Sequence, residues 1–280
     1  MAGIIFLPLK SDIVFKLVFG DPRYIEILRA FLLVALDIPP EEYEGMKIID
    51  PHLERDRLND KLGILDVRVL LRDGTIISVE MQARETPFMA ERVAFSTGRN
   101  LSRQIAPGQS YAQIRKVVTI VIADYKLISA NNFYHHTFRL YDLDKSVLFT
   151  TVMEVQTFEL KKLPKGPVKD SRQRELVNWL KLIRSEKKEE IAMLATQTAE
   201  MDFAVRRLKQ LSADEQVRML YEARELALMD EMVRNEAARA KGEAEGRAKV
   251  AQNMLSSGME VEMISKYTGL TPDEIMALRD

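Results

Sequence analysis

Two carboxylates and an amide stand out along Lys61–Gln82, KLGILDVRVLLRDGTIISVEMQ: Asp66, Glu80 and Gln82. Asp-Gly at 73–74, between β-branched runs, predicts a hairpin. Its register follows from side-chain chemistry. A two-residue loop would pair Val67 with Glu80 and Val69 with Ser78, mixing apolar and polar partners on both faces. A three-residue loop, Arg72-Asp73-Gly74 with the glycine left-handed, sets Leu65 beside Met81, Val67 beside Val79 and Val69 beside Ile77. One face is then wholly apolar, and a one-residue slip would turn it over, so this register is the expected one. It also brings Asp66 opposite Glu80, with Gln82 two residues further along the same face. Like charges facing each other in a sheet repel. A hard divalent cation between them is the natural remedy, with the Met81 backbone carbonyl as a further oxygen ligand. Such a cation suits phosphodiester hydrolysis, since it neutralises the scissile phosphate and lowers the pKa of a bound water. The competing reading is a solvent-facing hairpin whose acids pair with Arg68 or Arg72.

A second pattern is basic. Arg92, Ser96, Arg99 and Arg103 recur at steps of four, three and four, one stripe on a helix beside the hairpin. It reads either as a rail for backbone phosphates, independent of base sequence, or as an ordinary exposed face. His52, His135 and His136 lack the spacing of a metal site, and adjacent strand histidines point to opposite faces.

The composition narrows the class. With 46% hydrophobic and 30% charged residues the chain is globular rather than disordered. The formal net charge of -1 means that any basic binding surface is local. The absence of cysteine excludes disulfides, thiolate zinc sites and cysteine nucleophiles. No run reaches the length of a membrane span and the N-terminal apolar stretch is short for a signal peptide, which points to a cytoplasmic protein.

The elements that must position these residues can be read in order. Ser11 or Asp12 caps a helix bearing Phe15 and Phe19, and Ile27 to Leu36 carries helical spacing until Pro39-Pro40. Lys47 to about Leu53 is a strand, followed by the hairpin. Phe88 to about Ile105 is a helix, and Val117–Ala123, VVTIVIA, a strand buried on both faces. Two or three strands between Phe133 and Leu160 extend the sheet. From Ser171 the chain turns helical, with Leu176, Trp179, Leu180 and Ile183 as a stripe and Ser212 with Glu215 as a capping box. Gly242 and Gly246 mark a soft joint. The tail has helix–turn–helix rhythm: Gly258 and Gly269 suit C-caps, Thr271–Glu274 is a capping box, and Ile264, Leu270 and Ile275 form a small core. Its second helix is acidic, with Asp273 and Glu274 where base-reading side chains would stand, so it suits protein contact or dimerisation better than DNA reading. The expected division is 1–165, a helical arm at 166–245, and a module at 246–280.

Taken together, the SDIVFKLVFG opening, KLGILDV around Asp66, Glu80-Met81-Gln82, the helix with Arg92, the approach to VVTIVI and the EGRAK…TGLTPDEI tail resemble the PD-(D/E)XK nuclease superfamily. The likeness is to its Rpn branch, the recombination-promoting nucleases also described as transposases. The resemblance implies an α/β, restriction-endonuclease-like core, a mixed central sheet flanked by helices, with an all-helical C-terminal arm. It implies a Mg2+-dependent DNA endonuclease, with Mn2+ as a substitute, in which Asp66 and Glu80 are the metal ligands. Gln82 stands where most of the superfamily has lysine. A neutral amide can position but cannot offset phosphate charge, so Lys16 or Lys61 is the candidate for the missing charge and Asp12 for an additional acid; their plainer readings are a solvated lysine and a helix cap. The pattern departs at Ser96, where an aromatic is usual, and Phe95 beside it is the candidate for that packing. A two-fold homodimer would cut both strands. Two other readings stand beside this one: a DNA- or protein-binding scaffold on a decayed nuclease, and an assembly component acting through its helices.

Overall fold

The computed structural model describes residues 5–49 and 67–278. The chain divides into two compact units, Met1–Tyr221 and Glu222–Asp280. The first is built on a six-stranded sheet of order β1-β2-β3-β4-β6-β5, comprising β1 (Lys47–Ile48), β2 (Val67–Leu70), β3 (Ile76–Gln82), β4 (Val117–Ala123), β5 (His135–Asp142) and β6 (Val147–Glu159). β2 and β3 pair antiparallel with Val67 beside Val79 and Val69 beside Ile77. This is the register expected from the three-residue turn. Leu71 N–H donates to the Thr75 carbonyl at 2.9 Å, and Gly74 sits at φ +87° between them. Asp73 fixes the turn by accepting from the Thr75 N–H and hydroxyl, both at 2.8 Å.

β3, β4 and β6 run parallel in the centre of the sheet, the arrangement that needs cover on both faces. One face is covered by helices α1 (Asp12–Phe19), α2 (Ile25–Ala35) and α4 (Ser171–Arg184). Their apolar stripes join Val67, Val69, Ile77, Val79, Met81, Val118, Ile120 and Ile122 in a single core. Phe15 and Phe19, one helical turn apart, stack at 4.4 Å, and Trp179 meets Phe19 and Phe31 edge-on. Helix α3 (Met89–Ser102) covers the other face, where Met89 and Val93 pack on Val121. It is shorter at both ends than the sequence suggests, and Phe88 before it takes a left-handed φ of 57°.

Helices α5 (Lys188–Ala195) and α6 (Ala199–Ala213) complete the first unit, with Ile191, Leu194, Met201, Leu208 and Leu211 in the core that holds Trp179. By compactness the first unit ends at Tyr221.

Two expected features differ. Ser212 does not cap the next helix: it is buried inside α6, where its hydroxyl donates to the Leu208 carbonyl and accepts from the Leu7 N–H. The cap is Asp214, which accepts from the N–H groups of Gln216 and Val217. Nor do Gly242 and Gly246 break the chain. Helix α7 (Glu215–Ser256) runs through both, because the surrounding alanine, glutamate, lysine and arginine are strong helix formers that outweigh two glycines.

In the second unit the end of α7 packs with α8 (Val261–Thr268) and α9 (Pro272–Met276) around Ala251, Ile264 and Ile275. Gly258 and Gly269 take the positive φ expected of them, and Thr271 with Glu274 forms the expected capping box. Among the described residues no helix is long and apolar enough to cross a membrane.

Candidate active site

In-register residues of parallel strands share a face. On the α3 side the register therefore lines up Ser78 with Thr119 and Val155, Glu80 with Val121 and Thr157, and Gln82 with Ala123 and Glu159. The acids and the amide gather at the carboxyl ends of three parallel strands, the end at which open α/β sheets form ligand crevices. Glu80 is only 3% exposed. Gln82 Nε2 lies 3.5 Å from its Oε2, and Arg92 Nη2 lies 3.8 Å from the same oxygen.

Helix α3 fixes Arg92 from above. Met89, Val93 and Thr97 are its buried stripe; the Thr97 hydroxyl donates to the Val93 carbonyl and lies 2.7 Å from the Thr119 hydroxyl. Asn100 adds a 3.4 Å contact to the Ser78 hydroxyl. Arg92 sits on the flank of this stripe, half-buried and turned to Glu80, whereas Arg99 and Arg103 on the same side are exposed. Ser96 spends its hydroxyl on the Val93 carbonyl. Phe95 is 72% exposed, so it does not supply the packing expected of it: its position on the helix turns it away from the sheet.

The backbone of β3 adds an oxygen. Gln82 C=O accepts from the Asp124 N–H on the β4 side. Carbonyls alternate along a strand, so that of Met81 is directed the other way, towards the β2 side. Glu80, the Met81 carbonyl and the Gln82 amide offer oxygen donors of the kind a hard divalent cation takes. No group of three His, Asp or Glu side chains converges among the described residues. Asp66, the other carboxylate expected to hold the metal, lies outside them, as do Lys61 and His52.

Asp12 and Lys16 ride on α1, which packs on the apolar face of β3. Ser11 holds the N-cap position without a side-chain cap bond, and Asp12 Oδ1 accepts from the Ile13 N–H at 2.8 Å. Lys16 is buried rather than solvated. A Cβ on Gly20 would stand 3.2 Å from both Lys16 Cγ and Val67 Cγ2, so the lysine stem runs beside the start of β2. His135 stacks on Phe158 on the core face, while His136 turns to the opposite face, 3.8 Å from Glu159.

Three site residues carried no sequence motif. Tyr125, two positions after β4, is buried, and burial pushes its phenol up to about 12; Arg92 opposes this, while Glu85, Glu80 and Glu159 add to it. Its hydroxyl has no hydrogen-bond partner among the described residues. Glu159, fully buried at the end of β6, meets Lys162 at 2.8 Å and accepts from the Leu127 N–H at 2.9 Å. Asp124 pairs with Lys10 at 2.9 Å, and Lys10 also reaches Glu186. Burial would lower the Lys10 pKa, but the two carboxylates outweigh it and raise it. The usable signal was position: each acid or phenol ends or follows a parallel strand.

Two family comparisons match. Residues 9–238 match a family model described as PD-(D/E)XK nuclease family transposase. Residues 244–280 match the C-terminal HTH domain of the Rpn/YhgA-like nuclease family. No curated protein and no solved structure gives a significant match. With the first match spanning most of the chain and the second its helix–turn–helix tail, the protein belongs to the PD-(D/E)XK nuclease family transposases, in their Rpn/YhgA-like branch.

Proposed function

We propose that this nuclease-family chain is a divalent-metal-dependent DNA endonuclease. The observation that carries the reading is Glu80, a carboxylate 3% exposed at the carboxyl end of a central parallel strand. The competing solvent-facing hairpin would leave that acid in water, and Arg72 is engaged elsewhere, 3.5 Å from Glu44. In our reading Asp66 and Glu80, with the Met81 carbonyl, hold Mg2+, for which Mn2+ can substitute. When bound, the cation supplies charge neutralisation at the phosphate and a water of lowered pKa. Gln82 orients the attacking water or a phosphate oxygen. Lys16 contributes positive charge beside the start of β2, and Asp12 a further acid. Arg99 and Arg103 contact backbone phosphates, which fixes position without reading sequence. Two copies act together as a homodimer, one per strand. The setting we assign is cytoplasmic, in recombination, mobile elements or defence against foreign DNA.

Supercoiled plasmid incubated with Mg2+, Mn2+ or EDTA tests this beside Asp66→Ala and Glu80→Ala. Nicking or linearisation that requires metal and disappears in both variants is expected. Cutting that survives EDTA, or survives Asp66→Ala, sinks the metal site. Intact plasmid together with no metal-dependent thermal shift moves the reading to a binding scaffold on a nuclease fold.

A further inference from the structure

The geometry points to Arg92 as a catalytic residue that takes the place of the missing lysine, a role distinct from the phosphate rail of Arg99 and Arg103. The inference rests on the endonuclease reading and names one more participant in it. Gln82 holds the position of the usual lysine, yet it brings no charge. Arg92 does: its Nη2 is 3.8 Å from Glu80 Oε2, on the same face of the sheet as Gln82. Its influence on the buried Tyr125 phenol places its charge near that group as well.

The hydrogen bonding of Arg92 is the second observation. Its Nε and Nη2 are both buried and neither has a hydrogen-bond partner among the described residues. Buried donors without acceptors are costly. A guanidinium held this way, on a helix that Met89 and Val93 anchor to Val121, is a fork waiting for a two-oxygen acceptor. Planar forks suit phosphate, which takes two parallel N–H bonds. The acceptor that satisfies the fork is a non-bridging pair of oxygens on the scissile phosphate. Charge developing there in the transition state would meet a donor already in place and shielded from water.

The same geometry makes a prediction about the metal. In the protein without DNA, Arg92 and a cation compete for the Glu80 carboxylate, so removing the arginine favours the cation. A residue that merely held the site together would do the reverse.

Arg92→Ala and Arg92→Lys test this through three readouts: single-turnover cleavage at saturating DNA, duplex affinity, and Mn2+ titration of DNA-free protein by calorimetry. Arg92→Ala is expected to lose ~10²–10³-fold in the saturating rate, the loss typical of one transition-state donor. Duplex affinity should fall less than about tenfold, and Mn2+ should bind as tightly or more tightly. Arg92→Lys should recover part of the rate, because it restores charge without the fork. An unchanged saturating rate in Arg92→Ala overturns the inference. So does a rate loss traced wholly to weakened Mn2+ binding, or a loss confined to duplex affinity. Failure on Arg92 alone leaves wild-type cutting intact, whereas a wild type that binds Mn2+ and cuts nothing removes the endonuclease reading and this role with it.

Discussion

Glu154 shows how a buried carboxylate is held in this fold, and Glu80 lies on another strand of the same sheet. Both are 3% exposed on parallel strands of one sheet. Glu154 is enclosed by Gln156 at 2.6 Å and by Lys116 and Arg139 at 2.9 Å. Glu80 meets Gln82 and Arg92 at 3.5 and 3.8 Å. Glu154 is thus held as a structural clamp. Burial alone would raise the Glu154 pKa, but Gln156, Lys116 and Arg139 outweigh it and hold the carboxyl below the ordinary 4.5. Its folded-state value is therefore depressed. The stabilisation it brings is complete above about pH 4.5 and is lost as pH falls through the folded value. Glu154→Gln should lower stability near neutral pH by about 2 kcal/mol, as for hydrogen bonds to a charged group. It should also flatten the acid limb of the denaturation profile, and urea melts from pH 7 down to about 3 would show it. An unaltered acid limb would mean that other carboxylates carry it. At this scale the nearness of Glu80, Gln82 and Arg92 was legible in the sequence, because hairpin alternation and helical spacing are local rules. Tyr125 and Glu159 were hidden, because their nearness to Glu80 depends on which strands become neighbours in the sheet.

Among elements, the hairpin turn has the most leverage, because the register it sets decides which side chains reach the site. Gly74 holds φ at +87°, and a Cβ there would stand 2.8 Å from Arg115 Cγ. The arginine stem can shift; the backbone angle cannot. Gly74→Ala should cost about 1–2 kcal/mol, the ordinary penalty of an L-residue in the left-handed region. A two-state urea melt with unchanged m-value reads this directly, and equal stability would show that the turn tolerates a different backbone path. The elements that were legible share a cause. The hairpin, α2, VVTIVIA and the Thr271 capping box each carry a complete local signal of period, turn or cap. Ser212 misled because Ser-x-x-Glu also occurs where the serine belongs to the preceding helix, and only the contact with Leu7 makes burial worthwhile there. The glycines of α7 misled because a glycine weakens a helix by an amount that its neighbours can cover.

For the whole molecule the open term is assembly, and α7 offers the means. At 42 residues it is about 63 Å long. Beyond the first unit Leu226, Met229 and Val233 follow one another at steps of three and four, the seam spacing of a coiled coil. Leu226 is 63% and Val233 64% exposed, so this seam is uncovered in the single chain. Arg224, Glu225, Glu231 and Arg234 alongside it carry both signs of charge, which suits pairing with a copy of the same helix. A second copy of the chain is the occupant we propose for it, in the homodimer proposed above. Leu226→Glu combined with Val233→Glu should convert a dimer to a monomer in sedimentation velocity. Both substitutions are on an exposed face, so the fold and the thermal midpoint of the first unit should be kept. Plasmid cutting should shift from linear product towards nicked circles, because one site at a time meets one strand. A wild type that sediments as a monomer at every concentration tested would remove the dimer. A double variant that stays dimeric would move the interface away from this seam and on to another surface of the chain.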